Sequence, residues 1–279
     1  MTDKAESPDK QPEISTSEPP APSFPLGDML SDDRDEARRA PAELSAKSVK
    51  GVIMLMHGFD PFYPIPSSDP RTALYPFMEE MRQYYEPRGY RVYINLYPTN
   101  VSFVTAATFV QNNMLALGVP LHNVHMFGYS MGGLVCRQLV ANGFIKPSSL
   151  MTYCTPNLGT AAWITWYPYN LGAMSMWQSS HDLAVLNNNP TDISNRHNYT
   201  MIGISYEETG SGKRHYNDQL VEVNSAILNG NNCGPKPGRP IHWSYYKPHN
   251  VEIGTIHSAC QGFPMIRAAM NQFIATVPD

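Results

Sequence analysis

The stretch Leu121-His-Asn-Val-His-Met-Phe-Gly-Tyr-Ser-Met-Gly-Gly-Leu134 decides how the rest of the chain is read. A short apolar run, Val124 to Phe127, breaks into Gly128-Tyr129-Ser130-Met131-Gly132, and a second apolar run, Leu134 to Val140, follows. This is strand, sharp turn and helix, with G-x-S-x-G on the turn. The glycines have a steric reason. A serine on so tight a bend holds a strained backbone, and side chains at positions 128 and 132 would collide with the neighbouring strand and helix. The bend lifts the Ser130 hydroxyl clear of the sheet and aims the next helix's N-terminus at the place where negative charge would develop. Ser130 is therefore the candidate nucleophile. The competing reading is an ordinary polar turn, and the flanking strand and helix argue against it.

Working outward from this stretch, the chain alternates. Gly51-Val-Ile-Met-Leu-Met56 is a continuous apolar run of the buried parallel-strand kind, ending at His57-Gly58-Phe59. A Pro-rich loop (60–70) leads to a helical stretch over 73–85, stopped by Gly89. A strand is expected over 91–97, a helix over 101–117 closed by Gly118 and Pro120, and a strand over 150–154. The expectation is an α/β fold: a mostly parallel central sheet with helices on both faces and chemistry at the carboxyl ends of strands. Alternation fails between Asn157 and Asn198, where Trp163, Trp166, Tyr167, Tyr169, Met174, Met176 and Trp177 cluster among Gly and Pro. An aromatic-rich cap or lid insertion is expected at about 157–198, its rings forming either its own core or a transient lipid contact. A strand resumes over 198–205, residues 215–228 hold an acid and a short helix, and 262–277 reads as a closing amphipathic helix. Residues 1–48, rich in Pro, Ser, Glu and Asp, read as a disordered tail with a short helix at 33–39, leaving 49–279 as the folded body.

With 42% hydrophobic and 16% charged residues, there is ample material for a core. The net charge of −4 is carried by the first 48 residues, which hold 11 acids against 6 bases. A nearly neutral body without a Lys/Arg cluster argues against nucleic acid as a partner. No apolar run reaches bilayer-crossing length. Residues 1–20 hold no apolar signal-peptide core, so the chain reads as cytoplasmic as written, or as secreted if Met1 replaces a removed leader. The four cysteines show no C-x-x-C or Cys/His spacing, so neither metal nor cofactor is expected. Cys136 and Cys154 lie in apolar runs and read as small buried hydrophobes. Cys233 and Cys260 are left open as a pair; joined, they would tether the loop of a candidate histidine and imply an oxidising compartment.

A serine hydroxyl needs a base within hydrogen-bond reach, and the base needs an orienting partner. In strand-turn-serine-helix folds the chain order is serine, acid, histidine. For the acid, Asp218 stands in a turn (Asn217-Asp-Gln-Leu-Val221) before an apolar run; its competing role is a helix N-cap. Asp182 and Asp192 fall within the expected cap, and Glu207 and Glu208 in a polar loop. For the base, His257 follows a strand-like run shortly before the last helix, ahead of His249 and His242; His215 reads as surface. The oxyanion donors expected are the backbone N–H groups of Met131, after the nucleophile, and Phe59, in the loop after the first strand. His57 reads as a structural ring pinning that loop.

These residues together resemble the α/β-hydrolase superfamily, and within it the triacylglycerol lipase/esterase group. The resemblance covers about residues 50–276 and rests on His57-Gly58-Phe59, Gly128-Tyr-Ser-Met-Gly-Gly-Leu-Val135 with Arg137, Thr155-Pro-Asn-Leu-Gly159-Thr, Leu186-Asn187 and Asn217-Asp-Gln-Leu-Val221. It implies Ser130 as nucleophile, Asp218 as acid, His257 as base and Phe59 and Met131 as oxyanion donors. There are departures: Tyr129 where such lipases often have His, Cys154 and Gln219 where Gly is usual, and Asn157 where His is usual. Ser258, Ala259 and Cys260 follow His257 without the Asp that binds calcium in some bacterial lipases, so no such metal is expected. The function implied is a serine hydrolase of carboxylic esters with apolar acyl groups, acting on small-molecule or lipid esters. Its alternatives are a thioesterase, acyltransferase or polyester depolymerase on the same three residues, or an inactive binding module.

Overall fold

The computed structural model describes residues 49–60, 75–208, 211–230, 235, 237–247, 257, 269, 272 and 273. All belong to the second of the two units into which the chain divides, Ala46–Asp279. The tail expected over 1–48, the Pro-rich loop, His249, Cys233 and Cys260 lie outside the described residues. So does most of the closing helix, of which Ala269, Gln272 and Phe273 are described and helical.

The first strand, β1 (Gly51–Met56), is buried at every position, as an unbroken apolar run demands of a strand covered on both faces. It pairs in parallel with β2 (Tyr90–Asn95) from Gly51↔Tyr90 to Met56↔Asn95, and with β3 (Val124–Tyr129) from Val52↔Val124 to Met56↔Gly128. Next come β4 (Pro147–Tyr153) and β5 (Tyr199–Glu208), both parallel. Among the described residues seven strands form one sheet; the two-residue β6 (Arg214–His215) is its antiparallel exception.

The two-residue period of β1 sorts the core into two layers. Val52, Met54 and Met56 join the layer made with α2 (Phe103–Ala116) and α3 (Met131–Ala141), through Phe103, Val110, Leu134 and Leu139. Ile53 and Leu55 join the opposite layer, with Met78, Met81 and Tyr85 of α1 (Tyr75–Tyr85) and with Phe273. Local chemistry sets the ends. Ser102 caps α2 by accepting from the Thr105 N–H at 3.2 Å, and Gly89, at φ 91, closes the 3₁₀ turn Glu86–Arg88 after α1.

Two regions differ from the sequence expectation. The last strand, β7 (Arg239–Lys247), has no counterpart among the expected elements, yet it runs parallel to β5 from Thr200↔Arg239 to Glu208↔Lys247. Its stretch Ile241-His-Trp-Ser-Tyr245 alternates apolar and polar residues, a period-two signal that the sequence expectation passed over. The stretch expected as one cap divides in two. Residues 162–177 carry two short helices, α4 (Ala162–Trp166) and α5 (Leu171–Ser175), with Trp166, Tyr169, Leu171, Met174 and Trp177 exposed. Residues 181–198, holding α6 (His181–Asn187) and α7 (Pro190–Asn195), are instead fixed to the body. Their Asn187, Asp192 and Arg196 are buried, and Asn187 and Asp192 bond Arg137 of α3. Leu183 and Leu186 of α6 join the apolar core, and the buried polar groups beside them are joined by ion pairs and hydrogen bonds. The remaining short helix is α8 (Val223–Ala226).

Candidate active site

The turn between β3 and α3 has the strain that its sequence foretells. Ser130 adopts φ 51, ψ −125, a region costly for any residue with a side chain. Its backbone is held from both sides: the Ser130 N–H donates to the Tyr153 carbonyl at 2.9 Å, and its carbonyl accepts from the Gly133 N–H at 3.1 Å. A Cβ on Gly128 would lie 2.5 Å from Gly133 Cα, and one on Gly132 would lie 2.5 Å from the Met56 carbonyl oxygen. The glycines thus let helix, nucleophile turn and the end of β1 approach one another.

Three side chains from distant parts of the sequence meet here. Ser130 Oγ lies 2.9 Å from His257 Nε2, and His257 Nδ1 lies 2.8 Å from Asp218 Oδ2. Since the carboxylate only accepts, His257 Nδ1–H donates to it, leaving Nε2 to accept from the Ser130 hydroxyl. All three are buried, which keeps bulk water from competing for these bonds. The other Asp218 oxygen, Oδ1, accepts from Leu220 N–H at 3.0 Å and Val221 N–H at 2.7 Å. One oxygen thus faces the imidazole and the other closes a turn, and the helix N-cap weighed for this aspartate is not formed. The N-cap of α8 is Glu222.

Three of the other acids considered pair elsewhere. Asp192 binds Arg137 and Arg196, Glu207 meets Arg214 at 3.0 Å, and Glu208 meets His215 at 3.2 Å. His242 Nε2 lies 2.8 Å from Ser205 Oγ, engaged on β5 rather than at Ser130.

The loop after β1 lies against Ser130. A Cβ on Gly58 would come within 3.1 Å of Ser130 Cβ. His57 is locked: Tyr97 N–H donates to its Nε2 at 3.2 Å, so Nδ1 carries the proton and donates to the Gly58 carbonyl at 2.8 Å. The Tyr97 hydroxyl donates to the His57 carbonyl, and its ring stacks on the imidazole with centroids 4.0 Å apart. Burial pushes His57 down to about 4, so the ring is neutral at pH 7. Thr99 Oγ1 donates to the Asp60 carbonyl at 2.8 Å, completing a latch between the loops after β1 and β2. Phe59 and Met131 are both buried beside this turn; Met131 opens α3, where an N–H has no intrahelical acceptor.

Sequence reasoning misses the second rank of residues. Tyr97 and Thr99 have no motif to mark them. Tyr129 stands out in the sequence only as a departure, yet its hydroxyl donates to the His257 carbonyl at 2.6 Å. Arg137 belongs to the serine motif without a role there; its guanidinium binds both Asp192 oxygens, Asn157 Oδ1 and Asn187 Oδ1, tying α3 to α6 and α7. Burial disfavours the Asp192 carboxylate, but the two guanidiniums more than offset it and hold its pKa below the ordinary value. Cys154 and Gln219, the two departures from glycine, have φ 51 and 77, so the backbone keeps a glycine-like conformation under a side chain. Cys136 and Cys154 are both buried. Among the described residues, no three His, Cys, Asp or Glu side chains gather as a metal-binding group, and no helix is long and apolar enough to cross a membrane.

No protein-family model matches the chain, and no curated protein does. Among solved structures it is similar to the mature form of the Bacillus licheniformis lipase BlEst2, with 15% identity over 81% of this chain and 93% of that one and a TM-score of 0.49. It is also similar to an extracellular α/β-hydrolase from a Paenibacillus species, with 11% identity, 82% and 99% covered and a TM-score of 0.45. A third is phospholipase PlaB from Legionella pneumophila, with 12% identity, 81% and 62% covered and a TM-score of 0.47.

Proposed function

We propose that this protein is a serine hydrolase that cleaves carboxylic esters with apolar acyl groups, through Ser130, His257 and Asp218. The observation that carries the reading is the unbroken row of hydrogen bonds from hydroxyl to imidazole to carboxylate, buried beside the carboxyl ends of β1 and β3. In this reading Ser130 Oγ attacks the ester carbonyl while His257 Nε2 takes its proton, and Asp218 steadies the imidazolium through Nδ1–H. The carbonyl oxygen becomes an oxyanion facing the Phe59 and Met131 N–H groups, each worth about 3 kcal/mol in such a site. Collapse expels the alcohol, which receives the proton from His257. Water then gives its proton to His257, attacks the acyl-serine and releases the carboxylic acid, returning the proton to Ser130.

The apolar acyl preference is supported by the neighbourhood of Phe59. The Tyr167 ring lies edge-on to the Phe59 ring with centroids 6.2 Å apart, and a Cβ on Gly172 would lie 3.1 Å from Phe59 Cε2. This brings the segment with exposed Trp166, Leu171 and Met174 beside the proposed oxyanion loop. The test is hydrolysis of p-nitrophenyl esters of increasing acyl length, together with fluorophosphonate labelling. Wild type should turn over these esters and label, and Ser130→Ala should lose at least about 10⁴-fold in kcat and all labelling. A wild type that neither labels nor hydrolyses any ester overturns the reading; preference for thioesters over matched esters redirects it to a thioesterase.

A further inference from the structure

Between the nucleophile and the oxyanion loop stands one side chain that the proposed reaction does not use. Tyr129 is the residue before Ser130, and it is buried. Its hydroxyl donates to the backbone carbonyl of His257 at 2.6 Å. Its ring is tilted over the His257 imidazole with centroids 5.3 Å apart. The same ring occupies the space that a Gly58 side chain would need, with Tyr129 Cδ1 and Cε1 each 2.9 Å from where that Cβ would be. One rigid side chain thus touches the loop carrying Phe59, adjoins the nucleophile in the chain, and bonds the main chain of the proposed base.

We propose that Tyr129 is a positioning residue that sets where the His257 imidazole stands relative to Ser130 Oγ, acting through the hydrogen bond to the His257 carbonyl. The inference rests on the hydrolase reading above. The side chain of His257 is spoken for at both nitrogens, so its placement along the Ser130–Asp218 line depends on where its main chain is held. β3 is buried along its whole length, paired with β1 as far as Gly128 and with β4 as far as Tyr129 itself, so the Tyr129 main chain is firmly held. A phenol of fixed length hung from that point defines a height for the His257 carbonyl. Loss of the hydroxyl frees the imidazole to drift, and proton transfer is sensitive to displacements well under 1 Å.

The experiment compares Tyr129→Phe in two backgrounds, wild type and His257→Ala, by the second-order rate of fluorophosphonate labelling and by kcat and KM on a p-nitrophenyl ester. If the hydroxyl acts through the base, Tyr129→Phe lowers labelling and kcat about 10- to 100-fold, with KM within about 2-fold. In the His257→Ala background the same change should alter the residual labelling less than about 2-fold, because the group it positions is gone. Tyr129→His is a second variant: its ring is too short to reach the His257 carbonyl, and it should reproduce the loss wherever Tyr129→Phe does not fold. Wild-type rates in a folded Tyr129→Phe protein overturn the proposal, and so does an equal loss in both backgrounds, which would place the effect at the Gly58 loop. Failure of the wild type itself to label, with Ser130→Ala as control, sinks the hydrolase reading and this inference with it.

Discussion

The two oxygens of Asp218 do different work, and conservative substitution separates them. Oδ2 faces His257 and Oδ1 closes a turn by accepting two backbone N–H groups. Asparagine keeps an oxygen for the turn but presents an amide or a neutral oxygen to the imidazole, favouring the wrong tautomer. Asp218→Asn should therefore unfold in urea close to wild type while losing about 10⁴-fold in kcat. Asp218→Ala should lose activity comparably and also about 1–2 kcal/mol of stability, since its turn N–H groups lose their acceptor. Equal urea midpoints for the two variants would show that the turn does not depend on Oδ1. The turn at Ser130 is legible in the sequence from its glycines, and Asp218 and His257 are legible as candidates from the chain order usual after such a turn, with His249 and His242 still open beside them. Tyr129, Tyr97 and Thr99 are not legible there. They act through single hydrogen bonds to main-chain atoms brought close only by folding, and such bonds leave no pattern of spacing.

Among the elements, helix α3, which follows Ser130, is tied to α6 and α7. Arg137 lies on α3 beyond Ser130, and with Arg196 it encloses the Asp192 carboxylate in a buried cluster joined by the Tyr199 hydroxyl at 3.1 Å. Taking away only the negative charge leaves two guanidiniums unmatched in the interior. Asp192→Asn should lower unfolding stability by about 3–5 kcal/mol in urea titration, far more than an exposed ion pair would. A loss below about 1 kcal/mol would mean that the cluster is well solvated. The strands and long helices of the body are readable from apolar periodicity and from glycine stops, with ends shifting by a few residues. Helices α6 and α7 read as part of a cap because regular alternation fails there; in the structure Leu183 and Leu186 pack into the core, with Asn187, Asp192 and Arg196 buried beside them. Strand β7 is missed although its alternation over 241–245 is a strand signal, and Ile241 and Trp243 pack against the core as that alternation requires.

Across the whole molecule, buried neutral histidines tie stability to pH. His57 and His125 are each pushed by burial down to about 4 from an ordinary 6.5. The unfolded chain binds protons at these sites as pH falls through about 6.5, while the folded chain refuses them until about 4, so the unfolded state holds more protons across that window. Their contribution is complete above pH 6.5 and is lost progressively towards pH 4. For His57 it amounts to about 3 kcal/mol. Urea midpoints should fall across this range and be nearly flat from pH 7 to 8; a midpoint unchanged down to pH 4.5 would contradict it. The sequence by itself determined the α/β layout, the strained turn at Ser130 and the types of group that can act on it. Those follow from the steric needs of a tight bend and from hydrophobic period, which are local. Only the tertiary structure decided which histidine and which carboxylate meet the serine in the row described above, that the polar half of the expected cap is core, and that Tyr129 holds the main chain of His257. Those depend on contacts between residues far apart in the chain, which are fixed by how strands register and helices pack rather than by any neighbour in sequence.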